Sequence, residues 1–201
     1  MARHAEQGDE VHVTVVTRGD ANLYSDEAIA GVRAEARAAH DLLGVRRTHF
    51  LNFPAPRLDT VPRHELADAL RRTILDVAPE VVYLPHVGDI HHDHGEVYYA
   101  TLVACRPLPG CPVSRLLCYE TLSETEWAPP IAGHGFHPTV FIGIGGQLQK
   151  KLDAMRCFQS QFREPPHSRS LLSIESLARH RGMTVGVEAA EAFVLVRDLV
   201  R

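Results

Sequence analysis

The chain has 201 residues, 45% of them apolar and 23% charged, with a net charge of −4; this is ordinary for a soluble globular protein and long enough for one domain with its own core. Acids and bases are interleaved rather than blocked, which argues against a phosphate-tracking surface and against nucleic acid as a partner. No window approaches 18 uninterrupted apolar residues, and the opening "MARHAEQGDE" has no apolar signal core, so neither membrane insertion nor a secretory leader is expected.

In chain order, "ARHAEQGD" reads as the tail of a helix feeding a valine-rich strand, "EVHVTVVT" (10–17). "RGDANLYSD" turns the chain. Ile29, Val32, Ala36, Ala39 and Leu43 then recur at helical spacing, with Ser25 or Asp26 as N-cap and Gly44 as the stop. "RRTHFLNF" (46–53) predicts a second strand broken by "PAP", and 62–77 a second amphipathic helix. "PEVVYLP" (79–85) is short and continuously apolar, as for a strand covered on both faces. Further strands are expected at 113–120 and 139–144 and helices at 146–162 and 170–181, with "EAFVLVRDL" closing the chain as strand or helix.

Strands alternating with amphipathic helices define an α/β class with a mostly parallel sheet, here a single domain over 1–201. Ligands of such sheets bind beyond the carboxyl ends of strands. That is where "PHVGDIHHDHGEVYYA" (85–100) falls, with His86, Asp89, His91, His92, Asp93 and His94 close together. If a helix begins near His92, His91 and His94 converge over its first turn. Neutral imidazole suits zinc and similar divalent ions, and a nearby aspartate can hold a histidine in one tautomer. Catalytic zinc usually takes three protein ligands and a water, so this stretch needs donors from elsewhere in the fold. The competing reading is a solvated polar loop.

The remaining motifs carry less chemistry. The four cysteines lack C-x-x-C spacing and fit reduced structural thiols in a cytoplasmic protein. "GIGGQL" (143–148) has Leu148 where a dinucleotide fingerprint needs its third glycine, so helix-cap glycines are expected there. No G-x-S-x-G elbow is present. "RGD" (18–20) follows the first strand, and Arg18 is a candidate for substrate hydroxyls or an anionic group. "GHGFHP" (133–138) offers His134 or His137 as a pocket wall or proton donor. "PHSRS" (166–170) offers His167 and Arg169 as pocket residues and Ser168 or Ser170 as an N-cap.

The order strand, "PHVGDIHHDHG", helix resembles the second metal motif of the LmbE-like or PIG-L de-N-acetylases. The resemblance runs over residues 2 to 198 through "ARHAEQGDEVHVTVVTRGDA", "YETLSETEW", "FHPTVFIGI", "LQKKLDAMRCFQSQ", "PHSRS" and "LARHRGMTVGVEAAEAF". It implies a Rossmann-like three-layer sandwich and removal of acetyl groups from N-acetylated amino sugars or related amides, with Zn2+ or another divalent metal as cofactor. It implies His94 as a metal ligand. His91 would face the substrate, steadying the carbonyl oxygen or protonating the leaving group, and Asp93 would orient a histidine. Asp89 would lie at the pocket edge and, with Arg18, His137 and Arg169, contact substrate. The expected partner is a small N-acetylated sugar or glycoconjugate, with a homo-oligomer allowed by the sequence.

The same resemblance implies a first strand ending in His-Pro-Asp-Asp-Glu, which supplies two more ligands and a general base. That motif does not occur in the 201 residues. Its expected place is upstream of Met1, with Met1 an internal methionine of an intact protein. The competing expectation is an inactive remnant or binding module on the same fold.

Overall fold

The structure, a computed structural model, describes residues 1–200. They form two compact units, Met1–Asn52 with Phe141–Glu191, and Phe53–Val140 with the chain from Ala192 onward.

The first unit begins with a short helix α1 (Ala2–Glu6), then β1 (His12–Gly19), α2 (Asp26–Leu43) and β2 (Arg47–Ala55), the last pairing with β1. The Ser25 hydroxyl caps α2 by accepting the Ala28 N–H at 3.2 Å. Gly44 ends the helix at φ 78°, a left-handed stop that glycine adopts without strain. Strand β2 continues through Pro54 rather than breaking before it. Later in the unit come β5 (Val140–Gly143), a 3-10 turn at 145–147, α5 (Leu148–Arg156) and α6 (Leu171–Met183). Ser170 caps α6, its hydroxyl accepting the Ser173 N–H. Ala2, Ala39, Leu43 and Ala154 form one core, where small side chains let α1, α2 and α5 approach closely. Ile144, Leu148, Ala178 and Ala189 form another. Gly182 is needed there, because a Cβ would lie 2.6 Å from the Val187 carbonyl oxygen.

The second unit contains α3 (Arg63–Val77), β3 (Val81–Pro85), α4 (His92–Ala104), β4 (Arg115–Tyr119) and β6 (Ala190–Asp198). Leu66, Leu70 and Ile74 recur every four residues, so one stripe of α3 is buried, and α3 packs on α4. Strand β3 pairs parallel with β4, from Val81 opposite Arg115 to Pro85 opposite Tyr119. Leu116, Leu117 and Cys118 at the centre are nearly inaccessible. Strand β6 runs antiparallel to β4 with a register shift at Leu116/Leu117. The α/β class therefore stands, with a mixed sheet in this unit in which β3 and β4 are parallel and β6 is antiparallel. Antiparallel β6 matches Arg115 to Asp198 across the ladder, where they form a two-pronged ion pair.

Candidate active site

Because β3 and β4 are parallel, the turn after Pro85 and the loop after Tyr119 leave the same end of the sheet. Two hydrogen bonds fasten them together. The Ile90 N–H donates to the Glu124 carbonyl at 3.2 Å, and the Thr125 hydroxyl donates to Asp89 Oδ1 at 2.6 Å. Segment 131–137 is held against the same turn by buried His86, whose Nε2 lies 2.9 Å from the His134 carbonyl oxygen. Only glycine fits at 88, since a Cβ there would stand 2.1 Å from that oxygen. Phe136 meets the His86 ring edge-on at 5.3 Å.

Asp89 and His94 are in direct polar contact within the cluster. The Asp89 side chain is wholly enclosed (0% exposed), and its Oδ2 lies 2.7 Å from His94 Nδ1. An ionised carboxylate only accepts, so His94 donates from Nδ1 and its Nε2 carries a lone pair. The His94 side chain is 26% exposed. This is the arrangement by which a carboxylate behind a histidine makes the far nitrogen a metal ligand.

His91 is built the opposite way. It is the N-cap of α4, and its Nδ1 accepts the Asp93 N–H at 3.2 Å. A backbone amide only donates, so Nδ1 is unprotonated and Nε2 bears the proton. The two rings stack with centroids 5.1 Å apart and planes inclined by 16°. One imidazole thus presents a lone pair and its neighbour an N–H.

Asp93, expected to orient a histidine, is buried in the first turn of α4, and its Oδ1 accepts the Leu58 N–H at 3.0 Å. The carboxylate holds the 3-10 turn at Leu58–Thr60. Asp89, expected at the pocket edge against substrate, is the histidine-orienting carboxylate. In this structure Asp89, rather than Asp93, is the carboxylate on His94, and one Asp93 oxygen is taken by a backbone amide.

Of the other predicted residues, His137 is exposed, its ring folded over Gly135, and His134 contributes its carbonyl rather than its ring to the turn. Arg18 and Arg169 belong to the first unit. Arg18, at the end of β1, pairs with Asp26 at 2.9 Å, and Arg169 donates to Gln161 Oε1 at 3.3 Å. Thr125 was not picked out from sequence, although "YETLSETEW" marks its segment; Thr125 lies 36 residues from Asp89 and no local pattern links them.

Burial pushes the thiols of Cys105 and Cys118 up to about 12, Cys111 adding to the effect at Cys105 and the Asp89 carboxylate at Cys118. Both are neutral packing groups, with no thiolate for nucleophilic work. For a divalent ion, the described residues bring no three His, Cys, Asp or Glu side chains to one point. They fit one ligand, His94, with its orienting carboxylate, and not a complete set.

The family described as "PIG-L: GlcNAc-PI de-N-acetylase" matches residues 1–105. The Escherichia coli (strain K12) protein named "Uncharacterized deacetylase YaiS" is 33% identical over 149 residues, 72% of this chain and 71% of that one. The chain belongs to the PIG-L family. Among solved structures, the N,N'-diacetylchitobiose deacetylase of Pyrococcus horikoshii has a TM-score of 0.74 at 20% identity, over 98% of this chain and 76% of that one. GalB, the 4-carboxy-2-hydroxymuconate hydratase of Pseudomonas putida KT2440, has a TM-score of 0.78 at 20% identity, over 100% and 89%. These two likenesses establish the fold alone, and their unlike reactions place the burden of function on the site.

Proposed function

We propose that the chain is a divalent-metal-dependent de-N-acetylase acting on an N-acetylated amino sugar or glycoconjugate. The observation that carries this reading is the buried Asp89 carboxylate on His94 Nδ1, which leaves Nε2 of His94 free to ligate. Membership of the PIG-L family supports the deacetylase class.

In this reading His94 Nε2 would be one ligand of the cation, although the described residues bring no three such side chains together to hold it. When bound, a divalent cation polarises the amide oxygen and makes water a nucleophile near neutral pH. The chain's own contribution is positional and electrostatic. Asp89 holds the His94 ring in one tautomer, so no reorientation is needed when a ligand arrives. His91 Nε2–H, beside His94, donates to the oxygen that gains negative charge as the amide carbon becomes tetrahedral. His91 acts as a hydrogen-bond donor from Nε2, its Nδ1 being taken by the Asp93 N–H. The C–N bond then breaks, the nitrogen taking up the proton that the attacking water gave to the general base, and acetate and a free amine leave.

A second reading, a binding module that keeps the fold without turnover, is favoured by the lack, among the described residues, of three side chains that could hold one ion. Acetate release from N-acetylglucosamine-bearing substrates separates the two, measured with this chain and with a form carrying the in-frame codons upstream of Met1. The enzyme reading expects turnover with zinc in the extended form, abolished by chelation and by His94→Ala. Inertness of the extended form with stoichiometric zinc bound would leave the binding module.

A further inference from the structure

Three polar groups stand in line behind His94, and the first of them cannot reverse its direction. The Thr121 backbone N–H donates to Thr125 Oγ1 at 2.7 Å, the Thr125 hydroxyl lies 2.6 Å from Asp89 Oδ1, and Asp89 Oδ2 lies 2.7 Å from His94 Nδ1. An amide nitrogen only donates, so it occupies a lone pair of Oγ1 and leaves the single hydroxyl proton for the carboxylate. Asp89 therefore receives a proton donor on each oxygen inside an enclosed site. Both are charge-assisted bonds, the stronger kind.

We infer that Thr125 is a positioning residue of the active site: with the Thr121 amide behind it, its hydroxyl fixes the orientation of Asp89 and so steadies the His94 ring that Asp89 holds. Without the hydroxyl, Asp89 loses one of two anchors and the ring it orients loses its unique setting. Whether that nitrogen meets a metal rests on the function proposed above; the direction of the hydrogen-bond chain does not.

That direction gives the inference a signature that a packing role would not produce. In Asp89→Asn, the Thr125 hydroxyl still donates, so the amide oxygen must face Thr125 and the amide NH2 must face His94. The imidazole then accepts at Nδ1 and its proton moves to Nε2. If Thr125 is also made valine, nothing selects the amide's orientation, and both ring tautomers become populated.

The experiment is long-range 15N–1H correlation of the histidine rings in chelator-treated full-length protein, which distinguishes protonated from unprotonated ring nitrogens. Wild type and Thr125→Ser are expected with the His94 proton on Nδ1, Asp89→Asn with it on Nε2, and Asp89→Asn/Thr125→Val with Nδ1–H regained in part. The inference is overturned if Asp89→Asn keeps the wild-type tautomer, or if the double variant matches Asp89→Asn. Should variants at 125 not fold, Asp89→Asn alone still decides. Zinc titration adds an independent arm. Thr125→Val should bind about 10- to 100-fold more weakly and Thr125→Ser close to wild type, the usual cost of losing an outer partner of a metal ligand. Tautomers that respond as expected in a protein that binds no zinc would uphold the relay and remove the metal reading.

Discussion

The carboxylate of Asp93 accepts the backbone N–H of Leu58 at 3.0 Å, so a residue of the histidine motif anchors a turn 35 positions earlier in the chain. Leu58 and Asp93 are both buried, so bulk solvent does not reach the bond. Asp93→Ala should lower stability by about 1–3 kcal/mol, the cost of a stranded buried donor. Asp93→Asn retains an acceptor and should lose less. Urea denaturation of the two variants checks this, and equal losses would remove the anchoring role.

His91 presents Nε2–H because Asp93 N–H occupies its other nitrogen. In an active form, His91→Ala should lower kcat about 10²–10³-fold, the range for removing one donor to a developing oxyanion, with KM little changed. A rise in KM at constant kcat would mean instead that His91 binds the substrate's ground state.

Buried His40 faces Thr48, its Nδ1 2.8 Å from Oγ1. Burial holds its pKa below the ordinary 6.5, against the pull of the neighbouring Asp41 charge. The unfolded chain then takes up a proton more readily than the folded one as the pH falls. The contribution of neutral His40 is thus present above the unfolded pKa of 6.5 and lost as the pH drops below it. His40→Gln should flatten the dependence of the urea midpoint between pH 7.5 and 5.5; an unchanged slope would assign that dependence to other groups.

Gly88 leaves room for the His134 carbonyl, which a Cβ would meet at 2.1 Å. Gly88→Ala should release segment 131–137 from His86 and make it the first site of proteolytic cleavage. A digestion pattern identical to wild type would show that the turn absorbs the methyl group.

Local periodicity is enough for the elements of this protein. Alternating valines in β1, the four-residue repeat of Leu66, Leu70 and Ile74, Ser25 as a cap and Gly44 as a stop act over a few residues, and the structure keeps them. The same holds for the histidine cluster, which follows a strand and opens a helix as its spacing implies. The α/β class and the place of the candidate site are therefore properties of the sequence by itself. The division of labour inside the site is not. Asp89 and Asp93 look alike in sequence, and what separates them is Thr125, 36 residues away from one, and Leu58, 35 residues away from the other. The antiparallel course of β6 belongs to the same class, since hydrophobic alternation reads identically in either direction and only pairing with β4 selects one. A carboxylate becomes an orienting group or an anchor according to which donor the folded chain delivers to it, and only the tertiary structure makes that delivery.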